Sequence, residues 1–155
     1  MTDQDILLRL AVALFLGGCI GIERRWRGHE AGPHMNALVA AGAALFVISG
    51  TELGGDASQR ILAQVATGIG FLAGGVILRD GLHVRGLNTA GTIWCVAAIG
   101  CVIGVGKVIL AAELSLLFIL ANSFFHVLEH RVKMLSEDNI RVAPIRKVKN
   151  DDSKH

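Results

Sequence analysis

Five apolar runs, at residues 6–22, 37–53, 61–78, 89–105 and 108–128, fill most of the first 128 positions of this chain. A helix crossing a hydrocarbon core of about 30 Å needs about 20 mostly apolar residues, and these runs are of that order. Inside lipid the backbone must satisfy its own hydrogen bonds, so long, mostly apolar runs dictate spanning helices. The breakers between them are short and polar: "RGHEAGPHMN", "ELGGDASQR", "RDGLHVRGLN" and "GVGK". Composition agrees, with 52% hydrophobic residues, 19 glycines and only two prolines. The expected fold is therefore all-α, a polytopic membrane helix bundle of about five transmembrane helices, in one domain.

Loop charges set the expected orientation. Arg24, Arg25 and Arg27 follow the first run, and Arg79 and Arg85 follow the third. Seven Lys and Arg residues lie after the fifth, whereas Asp3, Asp5, Glu52 and Asp56 mark the opposite side. By the positive-inside tendency the N-terminus is outside and the C-terminus cytoplasmic, as an odd number of spans requires. "LGGC" at 16–19 has the form of a lipoprotein cleavage box, but the flanking charges run the wrong way for export. The first run is therefore read as a retained span. The expected boundaries are a transmembrane domain over 1–128 and a charged cytoplasmic tail over 129–155, the latter alternating in charge and poor in apolar surface.

Helices in lipid associate through close backbone approach and interhelical hydrogen bonds. Three runs carry a GxxxG pattern: Gly17/Gly21, Gly70/Gly74 and Gly100/Gly104. On that basis runs one, three and four form the centre of the bundle, and the bulky fifth faces lipid over much of its surface.

The polar residues within these runs call for an account. Glu23 and Arg24 close the first run, either as an interfacial pair or with Glu23 turned inward as a binding or proton-carrying carboxylate. Arg60, Gln64 and Thr67 form one ridge at helical spacing; Asn88, Thr92 and Cys95 form another. Asn88 is also placed to cap the fourth helix. The ridges serve either as glue between helices or as two walls of a narrow polar cavity. Interhelical polar contacts in membranes are worth only about 0.6 kcal/mol on average, which favours a functional face. Glu113 is read as interfacial and Asn122 as an interhelical contact.

Other chemistries lack support. Cys19, Cys95 and Cys101 lie inside apolar runs without metal-type spacing and read as small buried residues. His29, Glu30 and His34 share a loop but not a zinc-ligand spacing, so no metal or other cofactor is expected. There is no P-loop, dinucleotide fingerprint or catalytic triad pattern, so no enzyme is expected. A net charge of +2 gives no reason to expect nucleic acid.

Three blocks, "GGCIGIERRWRG", "RILAQVATGIGFLAGGVIL" and "VRGLNTAGTIWCVAAIG", resemble the signature blocks of the MgtC/SapB family of bacterial inner-membrane proteins. The resemblance covers about residues 6 to 127. It implies a multi-pass protein of the inner membrane, associated with adaptation to low magnesium and, in pathogens, with survival inside macrophages. It also implies a regulator of other membrane machinery, ATP synthase subunits among the partners, rather than a magnesium transporter. The family's polar positions fall on Glu23, Arg24, Asn36, Arg60, Gln64, Asn88, Thr89 and Cys95; Thr92 joins them by spacing. Where the family usually reads "AGLRTxAL" this chain has "AGPHMNAL", with His34 and Met35 in place of an arginine and a threonine. Longer members also carry a soluble C-terminal domain, so this chain is expected to be a short or truncated form.

Two functional readings follow. The first is a regulatory protein that docks on other membrane proteins, itself expected to be a homo-oligomer in contact with membrane lipids. The second is a small oligomeric cation or proton carrier whose pathway is lined by Glu23, Gln64, Asn88 and Thr92.

Overall fold

The computed structural model describes residues 1–141. It contains helices α1 (Asp3–Trp26), α2 (Pro33–Leu53), α3 (Ala57–Gly75), α4 (Leu87–Gly104) and α5 (Val108–Arg141), with a short hairpin of β1 (Leu78–Asp80) and β2 (His83–Arg85) between α3 and α4. The chain divides into two compact units, Met1–Ile119 and Leu120–His155. That division falls inside α5, which runs past the expected boundary at 128. The tail expected beyond it lies outside the described residues from 142 onward.

Local chemistry explains the helix limits. Thr2 caps α1 by accepting from the Asp5 N–H at 3.4 Å, and Asp3 and Asp5 occupy its first turn while Arg24 and Arg25 occupy its last. Both ends thus complement the helix dipole. Pro33 begins α2, where its missing N–H is no loss. The cap of α4 is Gly86, not Asn88. Its φ of 83° belongs to the left-handed region, and a Cβ there would overlap the Val76 carbonyl oxygen. Only glycine lets the chain leave the hairpin and enter α4 at this point.

Four segments are long and apolar enough to cross a membrane: α1, α2, α4 and Val108–Leu128 of α5. The fifth helix, α3, falls short because Ser58, Gln59, Arg60, Gln64 and Thr67 dilute its hydropathy. Nevertheless α3 lies along α2 from end to end. A Cβ on Gly50, near the end of α2, would meet Ile61 at 2.9 Å, while Leu38 and Leu72 line one groove toward the other end.

The centre is α2, packed between α1 and α4, which corrects the expectation that α3 would be central. Ala40 of α2 touches both neighbours. A Cβ on Gly17 of α1 would meet the Ala40 Cβ at 2.9 Å, and one on Gly100 of α4 would overlap the Ala40 carbonyl oxygen. Gly21 abuts Gly32 and Pro33, and a Cβ on Gly104 would lie 2.7 Å from the Val47 Cβ. These glycines replace side-chain bulk with backbone contact, which is how helices gain dispersion energy in lipid. By contrast, nothing among the described residues stands within 4 Å of a Cβ built on Gly70 or Gly74. In α3 the buried residues are Val65, Ile69 and Ala73, and the rest of the helix is half-buried or exposed. In α5, Ala111 and Ser115 are buried while Ile109, Leu110, Leu116 and Leu117 are exposed.

Candidate functional site

One end of the unit Met1–Ile119 gathers the last turn of α1 and the first turns of α2 and α4. Gly17, Gly21 and Arg24 recur at helical spacing on the face of α1 that α2 approaches. The glycines bring the backbones together and carry Arg24 inward, where it is 2% exposed. Its Nη2 donates to Asn88 Oδ1 at 3.1 Å. The Asn88 side-chain nitrogen lies 3.4 Å from His29 Nε2, and the His29 backbone N–H donates to the Arg24 carbonyl at 3.1 Å. A single amide on α4 therefore holds two residues at the end of α1. It serves as an interhelical bond where the sequence suggested a cap.

Asn36, in the first turn of α2, is 0% exposed. Its side-chain nitrogen donates to the carbonyls of Ala31 and Gly32, both at 2.9 Å. Asn36 thereby fastens the α1–α2 loop to α2. Arg24 Nε and Asn36 Oδ1 are among the atoms buried at this end without a hydrogen-bond partner among the described residues. An unmet polar group in such a place costs about 1–3 kcal/mol, so the arrangement is held by the surrounding packing rather than by complete satisfaction.

Glu23 pairs with Arg27, one turn on, and not with the adjacent Arg24. Neighbouring residues on a helix point about 100° apart, whereas i and i+4 share a face. The Glu23 carboxylate is largely buried, and its Oε2 has no hydrogen-bond partner among the described residues. Thr89 and Thr92 are buried in α4. The Thr92 hydroxyl donates to the Asn88 carbonyl at 3.0 Å, which occupies its proton inside its own helix. Cys95, one turn further, is half-buried with a free thiol, as are Cys19 and Cys101.

The second ridge lies elsewhere. Arg60, Gln64 and Thr67 are exposed on α3, and the Thr67 hydroxyl donates to the Ala63 carbonyl at 3.1 Å. These residues do not face Asn88 and Thr92 across a shared cavity. Gln64 instead edges an apolar groove of about 600 Å³ between α2 and α3. Glu30, in the α1–α2 loop, and His34, in the first turn of α2, are exposed, while His29 turns toward Asn88. Glu113 is exposed, and Asn122 has a buried side-chain nitrogen without a hydrogen-bond partner among the described residues.

Arg9 and His29 were not singled out for these roles from the sequence. At the opposite end of α4, Arg9 Nη1 donates to the Gly104 carbonyl at 3.0 Å, and its guanidinium fills the space beside Gly106. A cation there meets the negative end of the α4 dipole. So α1 grips α4 twice, through Arg24 at its start and Arg9 at its finish. The available signal was the pair of arginines at opposite ends of one apolar helix.

Comparison with known proteins completes the description. Residues 10–131 match the MgtC family. The protein called MgtC in Salmonella typhimurium strain LT2 is 45% identical over 129 residues, covering 83% of this chain and 56% of its own. An uncharacterised Synechocystis protein is 55% identical over 123 residues, covering 79% and 53%, and the Brucella abortus MgtC is 47% identical over 120 residues, covering 77% and 50%. The chain spans about half the length of these curated relatives. No solved structure matches it. The similarity runs through α1–α4 and into α5, including the end where Arg24, Asn36 and Asn88 meet, and the chain accordingly belongs to the MgtC family.

Proposed function

We propose that this protein supports bacterial growth under magnesium limitation by regulating other inner-membrane proteins, and that it does so without carrying a solute itself. In pathogens the same activity would serve intracellular survival. The observation that carries this reading is the separation of the two polar ridges. Arg24 and Asn88 bind each other across α1 and α4 and the Thr92 hydroxyl is committed inside its own helix, whereas Arg60, Gln64 and Thr67 lie exposed on α3. A carrier lined by Glu23, Gln64, Asn88 and Thr92 needs those groups to share one path. A docking protein needs a rigid scaffold and an outward polar face.

The orientation belongs to the same proposal. Arg24, Arg25, Arg27, Arg79 and Arg85 lie on the side where α1 ends and α4 begins, and the positive-inside tendency makes that side cytoplasmic. Met1 pairs with Glu52 at the other side, 3.3 Å apart. Because α3 lies along the full length of α2, it crosses with it, giving five passes with the N-terminus outside. The partner is a membrane protein reached through these faces; subunits of the proton-driven ATP synthase are the candidates the family suggests.

Growth of a deletion strain in low magnesium tests this, with the intact gene or Asn88→Ala supplied at equal membrane levels. The intact chain should restore growth and capture partner membrane proteins in mild detergent; Asn88→Ala should lose both together. Full growth rescue by Asn88→Ala would count against the reading.

A further inference from the structure

The hairpin between α3 and α4 turns its side chains outward. Leu78 and Arg79 on β1, Leu82 at the tip, and His83, Val84 and Arg85 on β2 are all exposed, and Leu82 is 94% exposed. Two strands of three residues each are marginal in water unless a further surface supports them.

Helix geometry locates that surface. Helix α4 has 18 residues, about 27 Å of helix, and it is apolar enough to cross a membrane. It only just spans a hydrocarbon core of about 30 Å, so Leu87 stands at the edge of the core. Arg85, two residues earlier, then lies among the headgroups. The strands reach about 10 Å, and the headgroup layer is about 5–7 Å deep on each side. A hairpin leaving the core edge at any tilt therefore spends most of its length in that layer. Trp26 belongs to the same level. Arg24, two residues before it, bonds Asn88 in the first turn of α4, and Trp26 is 87% exposed.

The order of side chains suits this layer better than a protein surface. Cross-strand partners share a face, and the register sets Leu78 against Arg85 and Arg79 against Val84. Each face thus carries one arginine and one aliphatic side chain, whereas a hairpin packed on protein separates an apolar face from a polar one. Arg79 donates through Nε to the Gly81 carbonyl at 3.2 Å, which keeps its Nη groups for other acceptors. Arg25, Arg79 and Arg85 form no ion pair among the described residues. Outside the Glu23–Arg27 pair, the acids of this end are Glu30 and Asp80, against these three arginines and the buried Arg24. A guanidinium fork matches phosphate, and an aliphatic neighbour suits the boundary where phosphates meet acyl chains.

We infer that the hairpin is an anchor for anionic phospholipid, with Leu82 and Trp26 at the level of the upper acyl chains and Arg79 and Arg85 on headgroup phosphates. A zwitterionic headgroup offsets its phosphate with its own cation, so the anionic one is preferred. The inference depends neither on the regulatory reading nor on which leaflet the hairpin meets.

The test places the full chain in vesicles of phosphatidylcholine and phosphatidylglycerol. With Trp26 and Trp94 replaced by phenylalanine, Leu82→Trp puts the only tryptophan at the tip, where lipids brominated on the upper acyl chain quench it on contact. Those lipids should quench strongly, and iodide supplied on both sides of the membrane should quench little. Brominated phosphatidylglycerol should be enriched at the probe roughly tenfold over brominated phosphatidylcholine, and Arg79→Gln with Arg85→Gln should bring the two near parity. Trp26 in a Trp94→Phe chain, with the hairpin intact, gives an independent reading and should be quenched by the same lipids. Free quenching of position 82 by iodide, with none by either lipid, would leave the tip to water or a protein partner and overturn the inference. Equal enrichment of the two lipids, an enrichment that survives the double glutamine variant, or an unquenched Trp26 would overturn it as well.

Discussion

Gly100→Val is expected to break the α2–α4 interface and to cost about 3 kcal/mol, the upper end of what overpacking exacts. The reason lies in what the new side chain would meet. The first carbon of the side chain already overlaps the Ala40 carbonyl oxygen, and Ala40 Cα stands 3.0 Å away. Backbone inside a packed helix cannot swing aside as a flexible side chain can. Ala40 also touches Gly17 of α1, so displacing it disturbs both interfaces of the central helix. Unfolding of purified protein by titrated detergent should show the loss, with Gly91→Ala as a control, since no described atom lies within 4 Å of a Cβ at that position. An unchanged transition for Gly100→Val would mean that α2 and α4 do not pack as described.

The second large effect is expected at Asn88. Replacing it by leucine removes the acceptor that Arg24 Nη2 uses at 3.1 Å, in an arginine that already has an unmet Nε. A hydrogen bond to a charged group contributes about 1.5–3 kcal/mol, and stranding the charge adds to the loss. Arg24→Met removes the charge together with its need for a partner while keeping much of the buried volume. Asn88→Leu alone should therefore be more damaging than Asn88→Leu combined with Arg24→Met. A double-mutant cycle in the same unfolding assay reads the coupling directly. Coupling near zero would show that the two side chains stand near each other without a stabilising bond.

Much of the scaffold was legible from the chain alone, because hydropathy and glycine spacing report on the two demands of lipid: apolar length and close approach. The intervals between breakers gave the helices, and Gly17/Gly21 and Gly100/Gly104 marked two real contacts. The central helix was missed for a physical reason. Close approach needs small residues on only one partner, and α2 offers alanines such as Ala40 and Ala44 against glycines elsewhere. A search for paired glycines instead raised α3, whose Gly70 and Gly74 face no described atom. At the polar end, spacing put Asn88, Thr92 and Cys95 on one face but could not say which helix they met. Sequence adjacency suggested Glu23 with Arg24, where helical geometry pairs Glu23 with Arg27. The Arg24–Asn88 bond joins residues 64 positions apart, and the α4 cap depends on a left-handed Gly86. Neither follows from local pattern.

The proposal that this protein acts through its faces, without a pore, rests on the polar side chains that fasten its α1–α4 end. Magnesium flux into liposomes containing the purified chain tests that account most directly. Uptake should not exceed that of empty vesicles, with or without Glu23→Ala. Robust uptake that disappears in Glu23→Ala would contradict it.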